Sequence, residues 1–456
     1  MDVSLNPGAG INNEDAEIKK RKTKKTDVLS KADVHALLKK GIWLYFFLVI
    51  FEGALRKWVL PGLATPLLIV RDPVAIWMLY IAWRYNEMPS NNYILAMCGI
   101  AIFSFFTAIT VGHGSIPVAI YGARIFLFHF PVIFLIGRIF NRDDVIKLAT
   151  VVLWISIPML VLIAMQFYSP QSAFVNKGIG NDQGGGFSGA LGYFRPPGTF
   201  SFTTGNTQFF SFVAIFVIYF LLNPKGVKLY LLIASTMCTL AAIPLSISRS
   251  LFVQVAISLG FASLSILRKP KYIGRMLGAV LVLIVMFAIL SQVSFFSHAL
   301  EALTSRFQTA DESEGGIQNS FAARMFAGFF EQFQSPNLPF FGLGIGMGTN
   351  AGAQLLVGST ETFLVAEGEW GRMVGEMGII LGVSAILLRV NFGVRLLIES
   401  YKKLQKNDFL PWMLLSVCFQ TVAQGQWAQP TALGFAVLLG GLTIASLNNP
   451  ETQRLT

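Results

Sequence analysis

Arginine residues stand at two places in this sequence where an apolar segment is about to begin. Arg195 precedes two prolines in FRPPGTFSF, and Arg249 lies among serines in PLSISRSLF. Pro196 and Pro197 restrict the backbone and Gly198 allows a close approach, so we expect Arg195 to be held in one position. A guanidinium group offers a planar fork of donors that suits phosphate and carboxylate oxygens. These residues predict a site for an anion.

Glutamates surround another arginine in the stretch AEGEWGRMVGE. Arg372 and Glu376 are four residues apart, which predicts a helix-surface ion pair worth about 0.3 to 0.5 kcal/mol. Glu369 either joins that pair or is left free to act as a general base, with Glu367 as the second candidate for that base. The competing interpretation is that these acids only neutralise Arg372 and Arg324.

The elements that position these side chains are membrane helices. Of 456 residues, 54% are hydrophobic and only 13% are charged. This hydrophobic fraction exceeds what the core of a soluble protein can bury. The net charge of +11 does not indicate nucleic-acid binding, since nine of the 35 Lys and Arg residues lie within the first 40 residues. Three cysteines within apolar runs, and histidines that are scattered, predict neither a disulfide nor a metal site.

Twelve apolar stretches are long enough to cross a bilayer, which predicts an all-α polytopic membrane protein. With the N-terminus in the cytosol, 25 of the 35 Lys and Arg residues lie on the cytosolic side, as the positive-inside rule requires. Both termini are then cytosolic. The predicted regions are a basic tail (1–40), helices 1–9 (41–295), a large extracytoplasmic loop (296–370), and helices 10–12 with the C-terminus (371–456). The predicted twelve spans run over 41–60, 62–83, 92–111, 117–138, 145–167, 199–222, 229–247, 251–267, 276–295, 371–390, 409–428 and 430–447.

Arginine predominates among the ten basic residues left on the outer side or at membrane depth. Any single one could equally reach to the interface from a helix end or pair with an acid. Several that converge on one cavity would bind an anion. The predicted anion-binding residues are Arg195, Arg249, Arg306, Arg324 and Arg372.

Four motifs occur in an order that resembles the O-antigen ligase and O-antigen polymerase superfamily of bacteria. They are R-x-x-G-T-F at 195–200, S-x-S-R at 246–249, P-F-x-G-x-G at 339–344 after Arg324, and E-x-G-x-x-x-G at 376–382. The resemblance implies a fold like that of C-type glycosyltransferases in the bacterial inner membrane. It also implies an enzyme that moves a glycan from undecaprenyl diphosphate to an acceptor sugar at the outer leaflet, without metal, cofactor or nucleotide sugar. Arg195, Arg249 and Arg324 match the arginines that such enzymes present to the diphosphate.

One position departs from the family pattern. Ligases of the family carry a histidine about nine residues before the glutamate that matches Glu376, where this chain has Glu367 and Glu369. The resemblance therefore favours a polymerase of surface polysaccharide over a lipid A ligase. Its expected partners are the lipid-linked oligosaccharide donor, a glycan acceptor, the bilayer and other export or assembly proteins.

Two other classes of protein compete with this interpretation. A transporter that flips lipid-linked oligosaccharides would be of similar size, but such proteins often show two related halves, and none are visible here. A scaffold for an export complex would leave the outer arginines unexplained. In the N-terminal third, charges at membrane depth predict a structural cluster in which Glu52 pairs with Arg56 and Arg71 with Asp72.

Overall fold

The computed structural model describes residues 29–180, 184, 186–267, 273–314, 330, 338–358 and 368–448. Within these residues the chain is almost entirely helical, with one short β-hairpin. The helices are α1 Lys31–Ala54, α2 Arg71–Arg84, α3 Asn92–Thr110, α4 Ile116–Arg124, α5 Phe130–Ile139, α6 Arg142–Tyr168, α7 Thr203–Leu222, α8 Leu229–Leu245, α9 Arg249–Leu267, α10 Ile273–Ser291, α11 Ser294–Glu314, α12 Asn350–Val357, α13 Glu369–Gln405, α14 Leu410–Ala423 and α15 Pro430–Leu447.

Eight helical segments of the described chain are long and apolar enough to cross a bilayer. The protein is therefore an all-α, multi-pass membrane protein; twelve spans and their orientation stay predictions. Three further apolar helices, α8, α9 and α14, are shorter. The eight segments are Lys31–Val59, Pro66–Arg84, Asn92–Thr110, Ile116–Ile139, Arg142–Tyr168, Thr203–Leu222, Glu369–Gln405 and Pro430–Leu447.

Among the eight long segments, α7 and α15 are the most deeply buried, and they lie at the centre of the bundle. Glycines of α15 allow neighbouring helices to come close, because a side chain at Gly440 or Gly441 would collide with Ile133 or Ile136 of α5. Small residues serve this purpose in membrane bundles, where helices associate mainly by packing. The surrounding helices are thereby fixed relative to this centre.

One end of the bundle, which we call the tail end, carries ion pairs around the start of α1. Glu87 pairs with Lys31 at 3.2 Å, with His35 at 3.3 Å and with Arg138 at 3.1 Å. Burial acts to raise the pKa of Glu87, but hydrogen bonds from these three residues outweigh it and lower that pKa overall. Lys39 of α1 also pairs with Asp144, at 2.6 Å.

The opposite end, which we call the hairpin end, carries strands β1 Phe187–Ala190 and β2 Tyr193–Arg195. The strands are antiparallel, with Phe187 opposite Arg195. Leu191 and Gly192 between them both have positive φ, the conformation that a tight two-residue hairpin turn requires. Tyr193 stacks on Phe167 of α6 with the ring centroids 4.5 Å apart, which fixes the hairpin to the bundle.

The charged cluster of the N-terminal third is buried, but its pairing differs in part from the prediction. Glu52 lies 3.5 Å from Arg56, as predicted, and 3.3 Å from Arg71. Asp72 pairs instead with Arg124 at 2.7 Å and with His129 at 2.9 Å. The physical reason is that adjacent residues of a helix point to different sides and cannot face each other.

The predicted tenth span, 371–390, is wrong in its course. Gly378, with φ 76° and ψ 174°, interrupts α13. A side chain at Gly382 would collide with the backbone of Met373 and Val374, so the segment before Gly378 folds back along the segment after it. A straight helix would separate residues 373 and 382 by about 13 Å. A continuous apolar pattern does not reveal this reversal.

We expect Gly378→Ala to lower the free energy of unfolding by about 3 kcal/mol or more, because this backbone conformation is restricted to glycine. In addition, the new Cβ would collide with the carbonyl oxygen of Phe340. Gly99→Ala is the matched control, because Gly99 lies in the middle of α3 with space for a Cβ. This substitution should raise the free energy of unfolding slightly. Unfolding in detergent, followed by circular dichroism, measures both. Equal unfolding midpoints for the two variants would contradict the reversal.

Candidate functional site

Arg195 ends β2 at the hairpin end, immediately before Pro196 and Pro197. The side chain is half-buried, and among the described residues its buried Nε has no hydrogen-bond partner. Burial, together with the positive charges of Arg306 and Arg249, lowers the pKa of Arg195 to about 10. A guanidinium in this position has donor capacity to offer to a ligand.

The structure places three of the predicted anion-binding residues, Arg195, Arg249 and Arg306, around the hairpin. Arg195 belongs to β2, and a Cβ at Gly189 of β1 would lie 2.8 Å from the side chain of Ile247, two residues before Arg249. Arg249 begins α9 directly after a tight turn in which Ile247 has a positive φ of 45°. Arg306 lies on α11 and donates to the carbonyl oxygen of Gly189 in β1, at 3.1 Å. Like charges in proximity are unfavourable, and an anion that binds between them relieves the repulsion. We call these three residues the arginine cluster.

The other two predicted anion-binding arginines, Arg324 and Arg372, are not part of the arginine cluster. Arg324 lies outside the described residues. Arg372 is buried in a second cluster, where it donates to Glu369 at 2.9 and 3.0 Å and to Glu376 at 2.6 Å. The expected helix-surface pair is therefore a buried pair, because the fold-back of α13 covers it.

Arg389 completes this second cluster, which we call the acid–arginine network. Its Nη1 donates to Glu369 at 2.7 Å, and its guanidinium lies 3.8 Å from the centre of the Trp427 ring. The predicted threading assigned Arg389 to the cytosolic side. The reversal at Gly378 instead returns the chain, so that Arg389 faces Glu369 twenty residues earlier. Glycines at 375, 378 and 382 are the sequence signal that could have indicated the reversal.

Glu369 and Glu367 are the predicted candidates for a general base. Glu367 lies outside the described residues. Both carboxylate oxygens of Glu369 already accept hydrogen bonds from Arg372 or Arg389. Buried charges of opposite sign compensate one another in this way. Removing one of them is strongly destabilising, because the other is left buried without a partner. The geometry supports the interpretation that Glu369 neutralises arginines; its role as a base stays a prediction.

Glu376 fixes the glycine-rich segment GLGIGMG against α13. Its carboxylate accepts from the backbone N–H groups of Gly346 at 3.2 Å and Gly348 at 2.7 Å. The backbone N–H of Leu343 also donates to the carbonyl oxygen of Gly375 at 2.8 Å. These contacts bring the backbone of the segment close to α13.

Hydroxyl and amide side chains line a surface beside the arginine cluster. The hydroxyls of Ser248 and Thr207 are 3.0 Å apart, and Thr204, one turn earlier in α7, lies 3.4 Å from Gln429. Gln429 in turn donates to Gln426 at 2.7 Å. We call these five residues the polar track. Sequence analysis missed it because its members come from three separate loops and helix ends.

An apolar cavity of about 500 Å³ lies between α6, α8 and the start of α11. Tyr168 at its edge lies 6.4 Å from Tyr193 of β2, measured between ring centroids. Leu245, which also lines it, is four residues before Arg249. The cavity therefore opens close to the arginine cluster.

The described residues contain no group of three or more His, Cys, Asp and Glu side chains that could hold a metal ion. Comparison with known proteins finds no matching family model, no similar curated protein and no similar solved structure. Function is therefore argued from the site itself, and the family resemblance stays a prediction.

Proposed function

We propose that the protein is a membrane glycosyltransferase that polymerises polyprenyl-diphosphate-linked oligosaccharide units into surface polysaccharide. The observation that carries this proposal is the arginine cluster, in which Arg195 keeps unused donor capacity beside Arg249 and Arg306. A diphosphate is the densest anion that a membrane lipid offers to such a cluster. The order of the sequence motifs at 195–200, 246–249, 339–344 and 376–382 supports the same reaction.

The apolar cavity supports a lipid-linked donor rather than a soluble one. Its lining is almost entirely hydrocarbon, and it includes Leu245, four residues before Arg249, and Tyr168, which contacts Tyr193 two residues before Arg195. A polyprenyl chain in the cavity would bring its headgroup to the arginine cluster. No metal or other cofactor takes part in the proposed reaction.

In the proposed reaction the hydroxyl of an acceptor sugar attacks the anomeric carbon of the donor sugar. A new glycosidic C–O bond forms, the C–O bond to the diphosphate breaks, and polyprenyl diphosphate leaves. The arginine cluster would stabilise the negative charge that develops on the leaving group. The hydroxyl proton passes to a base, for which Glu369 and then Glu367 are the predicted candidates.

The polar track supports a glycan as the second substrate. Hydroxyl and amide side chains can form neutral hydrogen bonds with the hydroxyl groups of a sugar. Thr204 and Gln426 are exposed at the surface, where a glycan could contact them. The track also begins at Ser248, the residue next to Arg249. A glycan bound there would present its end to a donor headgroup at the arginine cluster.

The proposed location is the inner membrane of a bacterium, with about twelve spans and both termini in the cytosol. The tail end, with its basic residues, would face the cytosol, and the hairpin end would face the outer leaflet. Other proteins of polysaccharide export or assembly are expected partners, and nucleic acid is not.

A second candidate function is the transport of lipid-linked oligosaccharides. One observation favours it: Tyr45, His129 and Asp72 form a fully connected buried relay, with Tyr45 Oη 2.9 Å from His129 Nδ1 and His129 Nε2 2.9 Å from Asp72. Ionisable chains of this kind occur in proton-coupled transporters. Arg124 compensates Asp72 here, at 2.7 Å, which also suits a purely structural role.

Deleting the protein from its own cells separates the two candidates. We expect mass analysis of the surface glycan to show single repeat units in place of long chains, because transfer between units is lost while export continues. Restoring the chain should restore chain length. Loss of all surface glycan, with lipid-linked units retained in the inner leaflet, would contradict the proposal and favour the transporter.

A further inference from the structure

Lys57 is a buried lysine at the hairpin end, outside the arginine cluster. Only 1% of the residue is exposed, and its Nζ donates to the carbonyl oxygens of Gly198 at 2.7 Å and Phe200 at 2.9 Å. Among the described residues no carboxylate pairs with it. A lysine ammonium has three N–H donors, and these two carbonyl contacts use two of them.

A polar cavity of about 190 Å³ lies against this side chain. Lys57, Ser201, three glycines and two phenylalanines contribute to its lining. Ser201 is held by Arg56, whose Nη1 donates to its hydroxyl at 2.9 Å. Phe187 of the lining is the strand partner of Arg195, whereas the apolar cavity shares none of these lining residues.

A structural role for Lys57 accounts for part of this arrangement. Two carbonyl contacts would fix the turn at 198–200, and neutral donors such as glutamine or asparagine would do so without a buried charge. An ammonium without a counter-charge is costly in an apolar environment. The cost is offset if an anion enters the adjoining cavity, where the glycines leave room for a ligand.

We propose that the Lys57 cavity is a second oxyanion-binding site, distinct from the arginine cluster, which accepts a carboxylate or a phosphate group. Lys57 supplies the charge and Ser201 a hydroxyl donor. The source of the anion follows from the proposed function: an acidic sugar or a phosphate substituent of the glycan repeat unit. The existence of the site does not rest on that function, because small anions suffice to test it.

The test measures the thermal stability of the purified protein in detergent with increasing sodium glucuronate or sodium phosphate at constant ionic strength. Glucose serves as the neutral control. A ligand that binds the folded state raises the unfolding temperature with its concentration. We expect a rise with at least one of the two anions and none with glucose; the anion that acts identifies a carboxylate or a phosphate as the preferred group.

Lys57→Gln removes the charge and keeps an amide donor for the carbonyl oxygens. We expect its apparent affinity for the active anion to fall about tenfold or more, the usual loss for a charged hydrogen bond. Arg195→Ala should keep the part of the stabilisation that Lys57→Gln removes. Ser201→Ala leaves Lys57 and its carbonyl contacts intact and should weaken anion binding a few-fold. If Lys57→Gln does not fold, this variant tests whether the anion binds in the Lys57 cavity.

The outcomes are separable from those of the proposed function. Wild-type anion stabilisation in Lys57→Gln, or no stabilisation of the wild type by either anion, would overturn this site. Stabilisation that vanishes in Arg195→Ala instead would assign the anion to the arginine cluster. An inactive polymerase assay would leave the anion measurement unaffected.

Discussion

Arg195→Ala and Arg249→Ala are each expected to lower the rate of glycan transfer by about 10² to 10³, the usual effect of losing one contact to a developing oxyanion. Both residues adjoin the hairpin, because Arg195 lies in β2 and Ile247, two residues before Arg249, approaches Gly189 of β1. Lysine at either position should restore activity only in part, because it lacks the planar fork. The measurement is the initial rate of chain extension in membranes that contain equal amounts of folded protein.

Arg84→Ala provides the matched control, because Arg84 is exposed at the end of α2 and belongs to neither cluster. Its rate should stay at the wild-type value. Wild-type rates in both Arg195→Ala and Arg249→Ala would show that the diphosphate, if it is bound at all, is bound elsewhere.

Glu369→Gln should lower the free energy of unfolding by about 3 to 5 kcal/mol, because it leaves two buried guanidinium groups with one carboxylate between them. Its carboxylate accepts from Arg372 and Arg389 and is almost fully buried. Glu399→Gln is the matched control: Glu399 also pairs with a cation three residues away, Lys402 at 2.8 Å, but in solvent. That pair should contribute about 0 to 1 kcal/mol. Equal losses in the two variants would contradict the acid–arginine network.

The double variant Glu369→Gln/Arg389→Gln separates structure from chemistry. Removing one charge of each sign should recover part of the lost stability, so that the two effects do not add. If Glu369 only neutralises the arginines, the folded double variant keeps its transfer activity. Loss of transfer in folded protein that still binds the donor would assign the proton-accepting role to Glu369.

The helices could be predicted from the sequence because each depends on a local apolar pattern. A helix overlaps every one of the twelve predicted stretches within the described residues, for example α5 over part of 117–138 and α15 over 430–447. The proximity of Arg195, Arg249 and Arg306 was also predictable in outline, since the predicted threading puts the first two in outer turns and Arg306 in the large extracytoplasmic loop on the same side. What they bind stays a prediction.

The rest depends on long-range contacts that no local pattern encodes. Gly378 lies inside a continuous apolar run, and only tertiary packing against Phe340 shows why the chain must reverse there. Asp72 was assigned to its sequence neighbour, whereas its partner, Arg124, is 52 residues away. Lys57 donates a hydrogen bond to Gly198, which is 141 residues away in the sequence. Side chains that pair over such distances are found only once the helices are packed.

The central claim is that this protein alone joins glycan units from polyprenyl diphosphate, and the direct measurement is a reconstituted reaction. Purified protein in lipid vesicles receives only a polyprenyl-diphosphate-linked oligosaccharide, and mass spectrometry follows both products. We expect glycans of two or more units together with one free polyprenyl diphosphate for each new linkage, and both products to form about 10² to 10³ more slowly with Arg195→Ala. A wild-type protein that binds the lipid and is folded, yet forms no new linkage, would contradict the account.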